Sequence, residues 1–217
     1  MVKGAGFDNL RAMTTDSKHR LVPMDKSMAR SVATLHRSAI DSVLLSALGE
    51  AFLCQMYIGI ASAQGSGVWV AVDTDRQLAG FIAGTLSLGK CYRQVLIHRA
   101  LPLISAALPR LLHPVVIKHC IDTVAYPKAS AASDATRPGA ELLAIGVAQY
   151  ARRRRVGSSL VATLEDAFRR WGFSGEYCVV AGADDAVAKS FYKAVGFRLQ
   201  RIIYHHGRKL NEYRKHL

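Results

Sequence analysis

Four consecutive arginines, Arg152, Arg153, Arg154 and Arg155, run directly into Val156, Gly157 and Ser158. After them Leu160, Val161, Leu164 and Phe168 recur at helical spacing. Guanidinium forks are permanently charged, bidentate donors, and the first turn of a helix offers N–H groups without intrahelical partners at the positive end of its dipole. Together they make a place to hold phosphate groups, and Gly157 with Ser158 keeps the turn open to a close-lying anion. A solvated basic turn would have the same composition. The surrounding elements separate the two readings.

Upstream, residues 142–148 form an apolar run that reads as a strand delivering the chain into this turn. Downstream, residues 176–181 read as a second strand. Ala188, Phe191, Tyr192 and Val195 then fall at helical spacing, Gly196 stands where a C-cap belongs, and residues 197–204 resume as a strand. The order is strand, R-x-x-R-x-G, helix, strand, then A-x-x-F-Y-x-x-x-G-F from Ala188 to Phe197. In this order the chain resembles the GNAT superfamily of acetyl-CoA-dependent N-acyltransferases, closely over 141–204 and more loosely upstream.

The resemblance implies an acetyl-CoA site. The family's Q/R-x-x-G-x-G/A motif lands on Arg152, Arg155 and Gly157, so Arg155 stands where the family usually has glycine. Arg152, Arg153, Arg154, Arg155, Val156, Gly157 and Ser158 form the expected pyrophosphate-binding set. Backbone N–H groups of Ile145 and Val147, on a strand splayed from its neighbour by a bulge, are expected to bind the pantetheine arm. Helices beginning near Val156 and Asp185 flank that gap, which adds Asp185 and Ala188 to the binding set. Tyr192 matches the family tyrosine beside the thioester sulfur and is the expected proton donor to the departing thiolate. Glu141 is the expected general base: it stands six residues before Val147, on the same side of an unbulged strand, and burial would raise its pKa toward neutrality. His98, His36 and Asp122 are weaker candidates for that role.

At 217 residues and 50% apolar composition the chain fits one domain with a full core, taken as 20–217 after a flexible extension over 1–19. The net charge of +13 attracts acyl-CoA, nucleotides, nucleic acid or anionic membranes without choosing among them. Nucleic-acid binding has charge alone in its favour, with no zinc, helix-turn-helix or RNA-recognition signature. Cys54, Cys91, Cys120 and Cys178 lack metal-ligand spacing, so no metal is expected, and they read as reduced thiols of a cytoplasmic protein.

The upstream half reads as a strand over 20–24, a helix capped by Asp25, a second helix over 49–61, and a hairpin of 68–72 with 78–86. By resemblance the segment between the two helices walls the acceptor pocket, which makes Glu50, His36 and Tyr57 candidate substrate contacts. The expected fold is α/β of the α+β kind: a mixed, mostly antiparallel sheet of six or seven strands, helices on both faces, and a helical insert over about 90–139 between the third and fourth strands. Pro102, Pro109 and Pro114 break the apolar-basic stretch within it into short helices. Three readings of that stretch compete: an added helical layer, which is favoured, a lid over the acceptor site, and membrane contact through 95–121. The expected activity is transfer of acetyl from acetyl-CoA to a primary amine of a small molecule, weakly an amino sugar. The alternatives are acetylation of protein N-termini or lysines, and a non-catalytic acyl-CoA-sensing module. A homodimer fits the family, although no interface is marked.

Overall fold

Short runs of β-branched and small residues set the strands, and stripes of period 3.6 set the helices. The computed structural model describes residues 13–16, 19–40, 43–108, 137–205 and 208–217. Its strands are β1 (Met13–Asp16), β2 (His19–Pro23), β3 (Ser66–Asp73), β4 (Leu78–Thr85), β5 (Glu141–Val147), β6 (Glu176–Gly182), β7 (Arg198–His205) and β8 (Arg208–His216). The helices are α1 (Ala29–Ala39), α2 (Val43–Ser62), α3 (Leu88–Ala107), α4 (Val156–Arg170) and α5 (Ala186–Ala194).

The strands form one sheet in the order β1-β2-β3-β4-β5-β6-β8-β7, antiparallel throughout except for the parallel pair β5–β6. Two cores sandwich it. On one face α4 and α5 bury Leu160, Leu164, Phe168 and Tyr192 against Ile82, Leu142 and Tyr177. On the other, α1, α2 and α3 bury Val32, Leu53, Tyr57, Cys91 and Val95 against Val70, Phe81 and Ala83. The mixed sheet with helices on both faces is the architecture expected from the sequence. The eighth strand is additional: Met13 pairs with Leu21 and Asp16 with His19, so part of the expected N-terminal extension is an edge strand.

Local chemistry places the helix starts. Asp25 caps a 3₁₀ turn, its Oδ1 accepting from Ser27 N at 2.9 Å, and α1 follows directly. α2 is interrupted at Gly49, whose φ of 87° and ψ of 174° suit glycine alone, so the helix proper begins there as expected and an extra turn precedes it. The proline expectation is corrected. α3 runs through Pro102 without ending, because Cys91, Val95 and Leu103 are anchored in the core it shares with α2, and that packing outweighs the lost N–H. Its outer side leaves Ile97, Leu101, Ile104 and Leu108 largely exposed. Residues 109–136, with Cys120 and Asp122, lie outside the described residues, as do the proline breaks expected at 109 and 114.

Candidate functional site

The parallel seam between β5 and β6 is two residues long. Glu141 pairs with Cys178 and Leu142 with Val179, and β5 then continues to Val147 without a partner on that side. The sheet therefore opens into a fissure between 143–147 of β5 and the end of β6.

The opening begins at a bulge. On β4, Ala83 faces Ala144 and the next residue, Gly84, faces Leu142, so Leu143 is the extra residue. Beyond it the backbone alternates regularly. Ala148 N donates to Ala79 O on β4 at 2.8 Å, which directs the N–H groups of Val147 and Ile145 the other way, into the fissure. The bulge also corrects the expectation that Glu141 and Val147 share a face. Leu142, Ile145 and Val147 pack in the α4–α5 core while Leu143 and Ala144 pack in the α1–α3 core, so Glu141 lies on the α1–α3 face.

At the fissure's mouth the chain turns through Gln149–Ala151, a 3₁₀ turn, into the arginine run and α4. Arg152 to Arg155 are exposed. Arg152 Nε donates to the carbonyl of Val147 at 3.4 Å, which brings its guanidinium to the end of β5. Arg153 and Arg155 have φ of 60° and 61°, the left-handed region that costs a residue with a side chain roughly 1 kcal/mol or more. Arg155 therefore occupies a backbone position made for glycine, keeps the conformation and adds a cation. It immediately precedes the N–H groups of Val156, Gly157 and Ser158 at the head of the helix.

Gly157 has a second task that its spacing in sequence does not reveal. A Cβ there would lie 2.8 Å from Phe191 Cε2 and 3.7 Å from Val147 Cγ2. Glycine thus lets α4 close on α5 and β5, and the three elements converge under the fissure. Asp185 begins α5, its Oδ1 accepting from Ala188 N at 2.8 Å, and Ala188 packs half-buried at the edge of the same core. Tyr192 is 6% exposed, its ring among Phe191, Phe197 and Tyr213 at centroid distances of 5.4 to 5.5 Å. Burial pushes its phenol pKa above the ordinary tyrosine range, so it holds its proton at neutral pH.

Glu141 sits at the closed end of the seam, 8% exposed. Its Oε2 accepts from Arg137 Nη2 at 3.1 Å. Burial raises its pKa to about 7, with Arg137 pulling it down and Glu212 pushing it up. Beside it, burial and the Glu141 charge push the Cys178 thiol up to about 12, leaving it an inert thiol. Arg137 and Glu212 were not legible as site residues, since Glu212 is 71 positions beyond Glu141 and only strand order brings them together.

The other acceptor-side candidates are distributed differently. His36 and Tyr57 are 2% and 3% exposed and bonded to each other, Nδ1 to Oη at 2.6 Å. Burial holds the His36 imidazole down at about 4. Glu50 lies at the surface, accepting from Thr34 Oγ1 at 3.1 Å and facing Arg30 at 3.8 Å. His98 is exposed on α3, away from the core. Cys54, Cys91 and Cys178 are free thiols. Among the described residues no cluster of three His, Cys, Asp or Glu is placed to hold a metal ion, and no helix is long and apolar enough to cross a membrane.

The family model described as Acetyltransferase (GNAT) family matches residues 40–197. Among solved structures, a GnaT-family acetyltransferase from Bordetella pertussis is similar at 14% identity and a TM-score of 0.59, over 94% of this chain and 99% of its own. Ard1 from Thermoplasma volcanium is similar at 13% identity and 0.57, over 92% and 97%. Variant forms of the spermidine/spermine N-acetyltransferase SpeG from Vibrio cholerae are similar at 11% and 0.53, over 93% and 95%. At these identities the likeness is one of fold. No curated protein matches the chain.

Proposed function

This chain belongs to the GNAT family of acetyltransferases, and on that premise we propose that it moves the acetyl group of acetyl-CoA to a primary amine of a small molecule such as an amino sugar. One observation carries the reading: the fissure that opens after Leu142 ends at a helix N-terminus headed by four exposed arginines. A long ligand that is anionic at one end and carries an amide-rich arm fits that gradient. Arg152 to Ser158 would hold the pyrophosphate. The N–H groups of Ile145 and Val147 would bind the arm and polarise the thioester carbonyl, with the Asp185 and Ala188 turn as the opposite wall.

The chemistry assigned to the chain's own groups is direct attack in a ternary complex. The amine nitrogen forms a bond to the acetyl carbon, the C–S bond breaks, Glu141 takes the amine proton and Tyr192 gives one to the thiolate. The raised pKa of Glu141 suits a base that works near neutrality, and the protonated phenol of Tyr192 suits an acid. For the acceptor, the Glu50 carboxylate is already engaged by Thr34 and Arg30, and the chain carries a net charge of +13. Both favour a neutral or anionic amine over a polycation. Free thiols at Cys54, Cys91 and Cys178 support a reducing compartment, the cytoplasm.

The test is a calorimetric titration with acetyl-CoA, repeated on a variant carrying Arg152→Ala and Arg154→Ala. Losing two charge-assisted phosphate contacts costs on the order of 2–5 kcal/mol, more than tenfold in affinity. Micromolar binding that the variant loses supports the reading and opens a screen of amine acceptors. Absence of binding by the unaltered protein overturns it.

A further inference from the structure

Glu141 belongs to a buried ionic cluster on the face of the sheet opposite α4 and α5, assembled from four stretches of chain. Arg137 precedes β5. Its Nη2 donates to Glu141 Oε2 at 3.1 Å and its Nε stands 3.6 Å from Glu212 Oε2 on β8. Glu212 is fully buried and also receives Arg201 Nη2 from β7 at 2.9 Å and Arg214 Nε at 2.8 Å. Arg214 in turn reaches Glu176 of β6 at 3.3 Å. The Arg137 side chain is 8% exposed and the Glu141 side chain 11%. The groups around Glu141 are therefore Arg137 on its own segment, Thr85 on β4, Cys178 and Glu176 on β6, Glu212 and Arg214 on β8 and Arg201 on β7.

Arg137 contacts Glu141 directly, and it is shared with Glu212. Glu212 pairs with the Nε of the same guanidinium and is itself fixed by two more arginines. A guanidinium paired at Nε with a carboxylate that is itself held has little freedom to turn, so its Nη2 donates to Glu141 in a defined direction. An arginine that served Glu141 alone would follow it, whereas this one can aim it.

We propose that Arg137 is the positioning residue of Glu141: paired with Glu212, its guanidinium orients the Glu141 carboxylate. This rests on the reading of Glu141 as the base. Two neighbours then tune that base in opposite senses. On top of burial, which raises its pKa, Arg137 favours the carboxylate and Glu212 disfavours it, so the base is adjusted by a residue outside the cofactor motif and by a strand far along the chain.

The experiment is the pH dependence of kcat/KM for the unaltered enzyme and for Arg137→Lys, Arg137→Gln and Glu141→Gln, with thermal melts to confirm folding. The unaltered enzyme is expected to lose rate below about pH 7, where burial places the Glu141 proton. In Arg137→Gln that limb moves upward by at least about one pH unit, as expected when an opposite charge within hydrogen-bond reach is removed. Arg137→Lys keeps a charge in the cluster, serves as the readout should the glutamine variant not fold, and leaves the limb only partway shifted while kcat stays lowered because the fork is lost. A limb that stays in place in both Arg137 variants, with the rate reduced equally at every pH, overturns the proposal and leaves Arg137 a structural residue. Glu141→Gln separates the two readings. If it abolishes the limb while the Arg137 variants do not move it, only the positioning role fails. If it retains the limb, Glu141 is not the base and both readings fall.

Discussion

The two sides of the β5–β6 seam solve burial in opposite ways. From β2 to β4 the sheet is packed by apolar side chains on both faces, and neutral partners are buried with it: His36 with Tyr57, and Ser66 Oγ with Thr85 Oγ1 at 2.8 Å. From β6 to β7 one face carries aromatic packing, Tyr177 and Tyr213 among it, and the other carries Glu212, Arg214 and Arg201. At neutral pH the His36–Tyr57 and Ser66–Thr85 pairs carry no charge. Buried ion pairs add little net stability, yet losing one partner leaves a stranded charge. The first half is thus a scaffold and the second a charged wall, and the fissure runs between them with Glu141 where they touch.

The contrast can be broken most forcefully in the scaffold. Phe81 is fully buried against His36, Tyr57 and Gly146, and Phe81→Ala should cost about 3–5 kcal/mol, read by denaturant titration. A loss under about 1 kcal/mol would show that this half does not depend on its apolar packing. Across the seam, Tyr192→Phe removes a hydroxyl with little change in ring packing. Turnover should fall about 10²-fold, with acetyl-CoA affinity unchanged in a parallel titration. Equal turnover would reduce Tyr192 to packing.

The pH dependence of stability sharpens the comparison. His36 has its pKa lowered to about 4, so between there and its ordinary value near 6.5 the unfolded chain binds the extra proton and stability falls as pH drops. Glu141 has its pKa raised from 4.5 to about 7, so over that window the folded state holds the extra proton and stability falls as pH rises. The stability difference between Glu141→Gln and the unaltered protein should therefore move in the variant's favour as pH rises from 4.5 to 7. Melting curves that stay parallel across this range would contradict the burial of that carboxylate. The smallest effect is at the turn: Arg155→Gly relieves a left-handed φ and should stabilise by up to about 1 kcal/mol, while weakening acetyl-CoA binding through the lost cation.

The periodic elements were legible because their signals are local. The α4 stripe of Leu160, Leu164 and Phe168, the Asp25 cap and the Gly196 stop each lie within a few residues of what they determine. The parts that position Glu141 were not, because they are set by partners distant in sequence. The bulge at Leu143 exists only against β4, and it reversed the face assigned by counting from Val147. Arg137 and Glu212 meet only once β8 is inserted between β6 and β7. Pro102 misled for the same reason, since the local penalty is real but the packing of Val95 and Leu103 is stronger.

The two-pair seam makes β5 a strand with two different edges. Along it, the amides of Gly146 and Ala148 face β4 while those of Ile145 and Val147 face the fissure. Hydrogen exchange should therefore alternate residue by residue, slow at 146 and 148 and fast at 145 and 147, within a single continuous strand. A ligand lying in the fissure as a surrogate neighbouring strand would slow the fast pair and leave the slow pair as it was.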